Sequence, residues 1–266
     1  MNKYKLILFS RIKHRVYEII MLLVSLLYND KKGIKVIIFG QGRSGSTLLE
    51  SLIDSTRYFE KKGELLNNKK TEKWFPYHFV NGLSKIDKAD NFIFHLKIYH
   101  LTSEREKEKD PKEFIRKAVN DGWKIIYLHR DNKIRQAISN LVAEQRGGFH
   151  KHNKSKEEIN ITIDINRFEK MVDRRFDYTQ EELSILSEIP HFKINYEQDL
   201  MDNSRHEEVV AGLLQFLGLE NDGVAPKTTH KKVNTSTLKD LILNYSEFNK
   251  LLEKNGWLHF IEDEPI

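Results

Sequence analysis

A glycine-rich turn between a hydrophobic strand and a helix is the segment of this sequence best suited to hold an anion. Residues 36–49 read VIIFGQGRSGSTLL. Backbone N–H groups at the start of a helix are unpaired, and glycines let the chain curl around a bound phosphate or sulfate. The turn also carries one cation and several hydroxyl groups. Its predicted anion-binding residues are Arg43, Ser44, Gly45, Ser46 and Thr47.

Two nucleotide motifs fit the turn incompletely. Its glycines match the dinucleotide fingerprint G-x-G-x-x-G. This motif also requires a second strand that ends in an acidic residue, and residues 58–60 are too weak a strand to supply it. Gly40 and Gly45 also match a Walker loop, in which Ser46 replaces the usual lysine. Without that lysine, transfer of a γ-phosphate lacks its main cationic contact. The turn therefore favours an anion other than a triphosphate, with an atypical P-loop kinase as the alternative.

A second segment, 125–140, reads IIYLHRDNKIRQAISN and repeats the order of strand, turn and helix. Arg130 at the strand end and Ser139 on the helix can converge on one phosphate from two directions. The sequence around Arg130 also imitates a protein kinase loop, but residue 136 is Gln rather than the metal-binding Asn, and no DFG follows. We predict a phosphate contact rather than a kinase catalytic loop.

Together the two segments resemble the donor-binding elements of the sulfotransferases, especially the carbohydrate and tyrosylprotein branches, whose loops read R-S-G-S/T-T-L-L. The resemblance implies that the turn binds the 5′-phosphosulfate of 3′-phosphoadenosine 5′-phosphosulfate (PAPS), while Arg130 and Ser139 bind its 3′-phosphate. It also implies a tyrosine near the adenine and a basic loop that closes over the nucleotide. The residues that match these features are Tyr196, Lys231, Lys232 and Asn234.

The same resemblance implies the catalytic groups. Glu64 stands 21 residues after Arg43, as the catalytic base does in the tyrosylprotein branch, and its pKa is expected to be raised toward neutrality in a semi-closed cleft. Lys97 ends a predicted strand where ligands bind in α/β sheets, so it would stabilise the transferred sulfuryl group or the bridging oxygen, with Arg43 and His95 as alternatives for the same role. The expected activity is transfer of that group to a hydroxyl, with a non-catalytic nucleotide- or glycan-binding relative as a further alternative.

The acceptor is expected to be a carbohydrate or glycolipid, because the helix after residue 133 resembles that of bacterial sugar sulfotransferases. The resemblance assigns Arg135, Gln145 and His150 to acceptor binding. No metal is expected, since sulfuryl transfer can proceed with fixed cations alone and the sequence lacks H-E-x-x-H and cysteine. The absence of cysteine also excludes disulfides and a cysteine nucleophile.

The charge of the chain is concentrated at its N-terminus. The net charge is +5, but residues 1–35 contain eight Lys or Arg against two Asp or Glu, so the other 231 residues sum to −1. The body of the protein therefore has no general attraction for nucleic acid.

Residues 1–33 are predicted to form a basic and apolar helix. Residues 34–266 are predicted to form the sulfotransferase domain that the resemblance implies. The apolar run of the helix is too short to cross a bilayer. We expect this helix either to pack on the domain or to lie on a membrane through residues 1–28. The predicted localisation is cytoplasmic, peripheral on the inner membrane face in the second case.

Short β-rich runs alternate with helical patterns in the rest of the chain, which predicts an α/β, P-loop-like, three-layer fold with a mostly parallel sheet flanked by helices. The predicted strands are 35–39, 92–98, 123–129 and 192–195. The predicted helices are 46–54, 111–120, 133–146, 165–188 and 204–217. Segments 61–73 and 147–160 are predicted to be long polar loops.

Overall fold

The computed structural model describes residues 3–67, 72–105, 107–145, 160–221, 226 and 237–261, with the backbone alone for residues 3–10. In this part of the chain, five parallel strands form one sheet in the order β2-β3-β1-β4-β5. The strands are β1 (Lys35–Gly40), β2 (Glu60–Lys61), β3 (Phe92–Leu96), β4 (Trp123–His129) and β5 (His191–Asn195). The α/β fold with a mostly parallel sheet is confirmed.

The helices follow the strands as a parallel sheet requires. They are α1 (Lys3–Leu27), α2 (Ser46–Ser55), α3 (Pro76–Ile86), α4 (Pro111–Asn120), α5 (Lys133–Gln145), α6 (Ile165–Leu186), α7 (His206–Leu217), α8 (Leu238–Leu241) and α9 (Tyr245–Lys254). All five predicted helices are confirmed, with ends that move by two residues or fewer within the described chain.

Strand β1 is buried on both faces, which creates two cores. Ile37 and Phe39 pack in a core with residues of α1, α3 and α4, whereas Val36 and Ile38 pack in another core with residues of α2 and α7. Because successive side chains of a strand point to opposite faces, an apolar run such as KVIIFG requires helices on both sides. The chain moves from β3 on one side of β1 to β4 on the other, so a crevice opens at the carboxyl end of β1.

The N-terminal helix packs on the domain along α3. Met21 and Val24 are buried in the first core, and a side chain at Gly82 would lie 2.2 Å from the Met21 carbonyl, so the two helices meet at van der Waals contact. The buried carboxylate of Glu18 accepts a hydrogen bond from the Phe75 N–H, 2.7 Å away. The opposite side of α1 is exposed. Among the described residues, no helix combines the length and hydrophobicity needed to span a bilayer.

The segment from Arg57 to Ile86 differs most from the sequence prediction. Lys61 was expected in a loop, yet Glu60–Lys61 pairs in parallel with β3 at the sheet edge. Helix α3 was not predicted, although Pro76 at its first position is a common start signal. Its polar residues Asn81 and Ser84 are buried, which hides the helical period. Most of the other predicted loop, 147–160, lies outside the described residues.

Candidate active site

The glycine turn forms an open cradle at the end of β1. Arg43 and Gly45 both have left-handed backbones, with φ of 67° and 86°. Helix α2 begins at Ser46, and no side chain caps its N-terminus. Consecutive N–H groups around left-handed residues, followed by an uncapped helix start, form an anion-binding nest. The predicted anion cradle therefore has the backbone it needs.

Two neighbouring elements fix the shape of this turn. Gln136 on α5 donates from its Nε2 to the Gly42 carbonyl and to Ser44 Oγ, both at 2.9 Å. A side chain at Gly45 would lie 2.5 Å from the Tyr196 ring, so only glycine fits there. Ser44 is buried beneath the turn, Ser46 is half-buried, and Thr47 is exposed at the start of α2.

The structure brings together the cations predicted to bind the donor. Arg43 Nε donates to Ser139 Oγ at 2.9 Å, and Arg130 Nη1 donates to the Arg43 carbonyl at 3.0 Å. The guanidinium of Arg130 also lies over the Tyr196 ring, 4.5 Å from its centroid, and pairs with Glu197. Arg43, Arg130, Ser139 and Tyr196 thus form one cluster on the same side of the turn. Their separation in sequence is overcome by the adjacency of β1, β4 and β5.

The predicted catalytic pair lies at the end of β3. Lys97 Nζ forms an ion pair with Glu64 Oε1, and Glu64 Oε2 accepts a hydrogen bond from Asn67 at 3.0 Å. His100 Nε2 lies 3.4 Å from the same carboxylate oxygen. His100 Nδ1 accepts from the Lys97 N–H, which leaves Nε2 as the donor toward Glu64. Sequence reasoning did not identify Asn67 or His100.

These contacts lower the pKa of Glu64, whereas the sequence predicted that it would be raised. Burial raises the pKa of this carboxyl, but the hydrogen bond from His100 and the charge of Lys97 outweigh burial and hold it well below its usual range. The expectation of a pKa raised toward neutrality is therefore wrong for the protein without ligands. Glu64 is an ionised carboxylate that Lys97 neutralises.

Gly42 connects the cradle to the Lys97–Glu64 pair. Its N–H donates to the Tyr99 hydroxyl at 3.0 Å, and a side chain at this glycine would lie 3.3 Å from Lys97 Nζ. The pair therefore borders the beginning of the turn, while Ser46 and the helix start lie at its other end.

A further arginine, which the sequence analysis missed, touches the same glycine. Arg175 comes from the middle of α6, and its Nη1 donates to the Gly42 carbonyl at 3.3 Å. Its pKa is lowered to about 10, mainly by burial and also by the charges of Arg130 and Arg43, against the opposing effects of Tyr99 and Glu182. Arg175 lies 133 residues from Gly42 in the sequence and belongs to no motif, so no local pattern marks it.

A buried polar network continues from Arg175 along α6. Gln41 Nε2 donates to the Arg175 carbonyl and to Thr179, both at 3.1 Å, and lies 3.4 Å from Glu182 Oε2. The Tyr127 hydroxyl donates to the same carboxylate at 3.3 Å. Burial raises the pKa of Glu182 to about 7, against the lowering effect of these hydrogen bonds and of Lys133. Through this network, Gln41 at the beginning of the turn is held against α6.

The residues predicted to bind the acceptor are placed elsewhere. Arg135 is buried and donates to the carbonyls of Phe260 and Ile261 at 3.3 Å, so it holds the C-terminal turn. Gln145 donates to the Asn160 carbonyl at the end of α5. The structure does not bring either side chain to the turn. His150, Lys231, Lys232 and Asn234 lie outside the described residues.

Within the described ranges, no group of three or more His, Asp or Glu side chains is arranged to hold a metal ion. His95 approaches Glu50, at 3.3 Å, beside a small cavity lined by Asp54 and Phe59. Burial lowers the pKa of His95 to about 4, so this histidine is neutral.

Comparisons with known proteins bear on the fold. No family model matches the chain, and no curated protein is significantly similar in sequence. Several solved structures are similar in fold. Among them are a sulfotransferase from Alicyclobacillus acidocaldarius (14% identity, 87% of this chain and 96% of that chain, TM-score 0.50), the sulfotransferase domain of the curacin biosynthetic pathway (12%, 86% and 99%, TM-score 0.46), and mouse sulfotransferase SULT7A1 complexed with PAP (15%, 76% and 65%, TM-score 0.44). This chain spans about two thirds of the mouse chain.

The match with the Alicyclobacillus structure covers most of both chains. It shares with this protein the mixed α/β architecture of a parallel sheet flanked by helices. At this low identity the likeness concerns the fold alone. The protein therefore has the sulfotransferase fold.

Proposed function

We propose that the protein is a PAPS-dependent sulfotransferase that transfers the sulfuryl group to a hydroxyl. The observation that carries the proposal is the meeting, at one crevice, of an uncapped glycine cradle with Arg43 and of the Lys97–Glu64 pair. A cradle of N–H groups and arginines suits the phosphates of the donor, and a carboxylate beside it suits a hydroxyl acceptor.

In the proposed reaction, the acceptor oxygen attacks sulfur in line with the leaving group. A new S–O bond to the acceptor forms as the S–O bond to the 5′-phosphate breaks. The electron pair of the broken bond leaves on 3′-phosphoadenosine 5′-phosphate (PAP). Glu64 accepts the hydroxyl proton, and Lys97 with the N–H groups of the turn stabilises the negative charge on the sulfuryl and leaving oxygens.

The Lys97–Glu64 ion pair gives the reaction a required order. While Lys97 holds Glu64, the carboxylate is a weak base because its pKa is low. In this proposal, the sulfuryl group of the donor competes with Glu64 for Lys97. The group is anionic and would lie at Gly42, which is next to the Lys97 ammonium. When Lys97 turns to the donor, the pKa of Glu64 rises and the carboxylate becomes a better proton acceptor. The donor therefore binds before the acceptor is activated.

A saccharide or glycolipid is the proposed acceptor class. What supports it is the resemblance of the α5 segment to bacterial sugar sulfotransferases. In this proposal Arg135 and Gln145 stabilise the ends of α5 through backbone carbonyls, and the acceptor hydroxyl approaches Glu64.

The test is transfer of sulfate from ³⁵S-labelled PAPS to a panel of neutral saccharides and glycolipids, with wild type and Arg43→Ala. We expect labelled product from wild type and at least about a hundredfold less from the variant, because a charge-assisted contact to the donor is lost. The matched control is Arg57→Ala, since Arg57 has the same left-handed backbone but lies at the far end of α2. Equal transfer by all three proteins would contradict the proposed site.

A further inference from the structure

Arg175 is a buried cation that makes no direct ion pair with a carboxylate of the described residues. Its side chain is nine-tenths buried, and its guanidinium makes one hydrogen bond, to the Gly42 carbonyl. Its Nε has no hydrogen-bond partner among the described residues, and Glu182 acts on its charge only through space. Burying a guanidinium in this way is costly unless an anion completes the site.

The surroundings of Arg175 indicate where that anion lies. The nearest acidic side chain along α6, Glu182, hydrogen-bonds to Gln41 and Tyr127 instead. Arg175 contacts the carbonyl of Gly42, whereas Lys97 borders the Cα of the same glycine. The two cations therefore flank the beginning of the turn, at the end that faces Glu64 and away from the helix start.

We propose that Arg175 binds the sulfuryl group of the donor, opposite Lys97. The inference rests on the proposed function and names a further residue of that site. A planar guanidinium presents several N–H donors to tetrahedral oxygens and keeps its charge when buried, which suits a transferring SO₃ group. Arg43 and Arg130, which contact Ser139 and each other, remain for the phosphates.

The experiment compares two ligands that differ by the sulfuryl group. PAPS and PAP are titrated calorimetrically, without acceptor, into wild type, Arg175→Gln and Arg174→Gln. We expect Arg175→Gln to weaken PAPS binding by about 10- to 100-fold, the value of a charge-assisted hydrogen bond, and PAP binding by about threefold at most. Arg174→Gln is the matched control, because Arg174 is exposed on the same helix and contacts Tyr178.

Equal losses of PAPS and PAP affinity would overturn the inference, since they would mean that Arg175 only supports the turn. Unchanged PAPS affinity would overturn it as well. If wild type binds neither ligand, the proposed function itself fails. Should Arg175→Gln not fold, Arg175→Lys is titrated in its place, and the same preferential loss of PAPS binding is expected because an ammonium cannot present the planar fork.

A second, independent observation concerns the outer face of α1. This face consists of large apolar side chains that are 46–62% exposed, at helical spacing: Ile12, Val16, Ile19, Ile20, Leu23 and Leu26. The exposed Trp74 lies at its edge, because Arg15 of α1 stacks on the Trp74 ring at 3.8 Å. A contiguous exposed apolar face of this size marks an interaction site.

The charges around this face select its partner. Helix α1 contains one acidic residue, Glu18, which is buried and paired with Arg15. Arg11 and Lys13 are exposed on α1, and Lys32 is exposed just beyond it. The first 35 residues carry a net charge of +6, against −1 for the remainder. An apolar face beside unpaired basic residues is complementary to an anionic lipid surface.

We infer that α1 lies in the surface of an anionic bilayer through its outer face, with α3 holding the domain beneath it. Vesicles of phosphatidylcholine containing phosphatidylglycerol should bind the protein at least about tenfold more tightly than pure phosphatidylcholine vesicles, and 0.5 M salt should remove the preference. Binding should shift Trp74 fluorescence to the blue, since Trp123 is already buried and Trp257 packs against a core away from α1. The Trp74→Phe variant should bind without that shift.

The decisive variant is Ile19→Glu with Leu23→Glu, which changes exposed side chains and should abolish vesicle binding. Leu183→Glu is the control, because Leu183 is similarly exposed on α6, and it should bind normally. Failure of wild type to bind anionic vesicles would overturn the inference. So would a wild-type dimer in light scattering that the double variant converts to monomer, because a second copy would then cover this face.

Discussion

The two cations that flank Gly42 differ in what holds their charge. Lys97 is paired with Glu64, and the carboxylate has further donors in Asn67 and His100. Arg175 has a single carbonyl as partner and lies deeper in the protein. The first cation must break an existing ion pair to meet a ligand, whereas the second has none to break. We therefore propose that Arg175 binds the incoming anion directly and that Lys97 responds to the anion by leaving Glu64.

The largest expected effect comes from removing the carboxylate. In Glu64→Gln, turnover should fall by about 10² to 10⁴, the usual contribution of a general base, while PAPS binds about as tightly as to wild type or more tightly because Lys97 is released. Steady-state kinetics and calorimetry measure the two quantities. Glu60→Gln is the control, since Glu60 is an exposed carboxylate on β2. Loss of PAPS affinity in Glu64→Gln would contradict the competition between the donor and Glu64.

A smaller effect is expected when the cradle itself is deformed. In Gly45→Ala, the new methyl group would meet the Tyr196 ring at 2.5 Å and the backbone would be strained at φ 86°. PAP affinity should fall by about tenfold or more, and thermal stability should fall as well. Gly122→Ala has a matching φ of 82° but open space around it, so it should lose about 1 kcal/mol of stability and keep PAP affinity. Equal PAP affinity in both variants would show that the turn does not bind the donor.

Glu182, in the buried network that continues from Arg175 along α6, makes the stability of the folded protein depend on pH. Because its pKa is raised to about 7 in the folded protein from an ordinary 4.5, folding favours the protonated form. This contribution is complete below about pH 4.5 and is lost as the pH rises through 7. Glu182→Gln should therefore gain on wild type in free energy of unfolding between pH 5 and pH 8, by at most about 3 kcal/mol. Urea unfolding at the two pH values measures it, and a constant difference would show that Glu182 does not titrate there.

The smallest expected effect is the absence of a change. Since Lys97 and His100 lower the pKa of Glu64 below its ordinary 4.5, the free enzyme keeps the base ionised above that pH. We expect kcat/KM for the acceptor at low donor concentration to show no acid limb from Glu64 between pH 5 and pH 8. A limb near pH 6 that Glu64→Gln removes would contradict the Lys97–Glu64 pairing.

Local sequence patterns were sufficient for the parts of the fold and site that depend on neighbours in the chain. The apolar run before Gly40, the proline at the start of α4 and the Gly218 that ends α7 each mark an element boundary. The cluster of Arg43, Arg130 and Ser139 could also be predicted, because parallel strands place their carboxyl ends at one edge.

Contacts between distant segments could not be predicted in the same way. Arg175 reaches Gly42 across 133 positions, and its burial depends on how α6 crosses the sheet. The pKa of Glu64 depends on Asn67 and His100, which carry no motif. Arg135 was predicted to contact the acceptor. Its actual partner, the Phe260 carbonyl, lies 125 residues away in the sequence, so no local pattern indicates this contact. In each case the deciding interaction comes from packing rather than from local pattern.

The central claim is that this cradle is built for PAPS and not for a triphosphate. Calorimetric titration of wild type with PAP, and separately with ATP and magnesium, tests it most directly. We expect PAP to bind at least about tenfold more tightly, a difference of about 1.4 kcal/mol, because Ser46 replaces the lysine of a Walker loop and the cations of the cradle are Arg43 and Arg130. Tighter binding of ATP with magnesium than of PAP would contradict it.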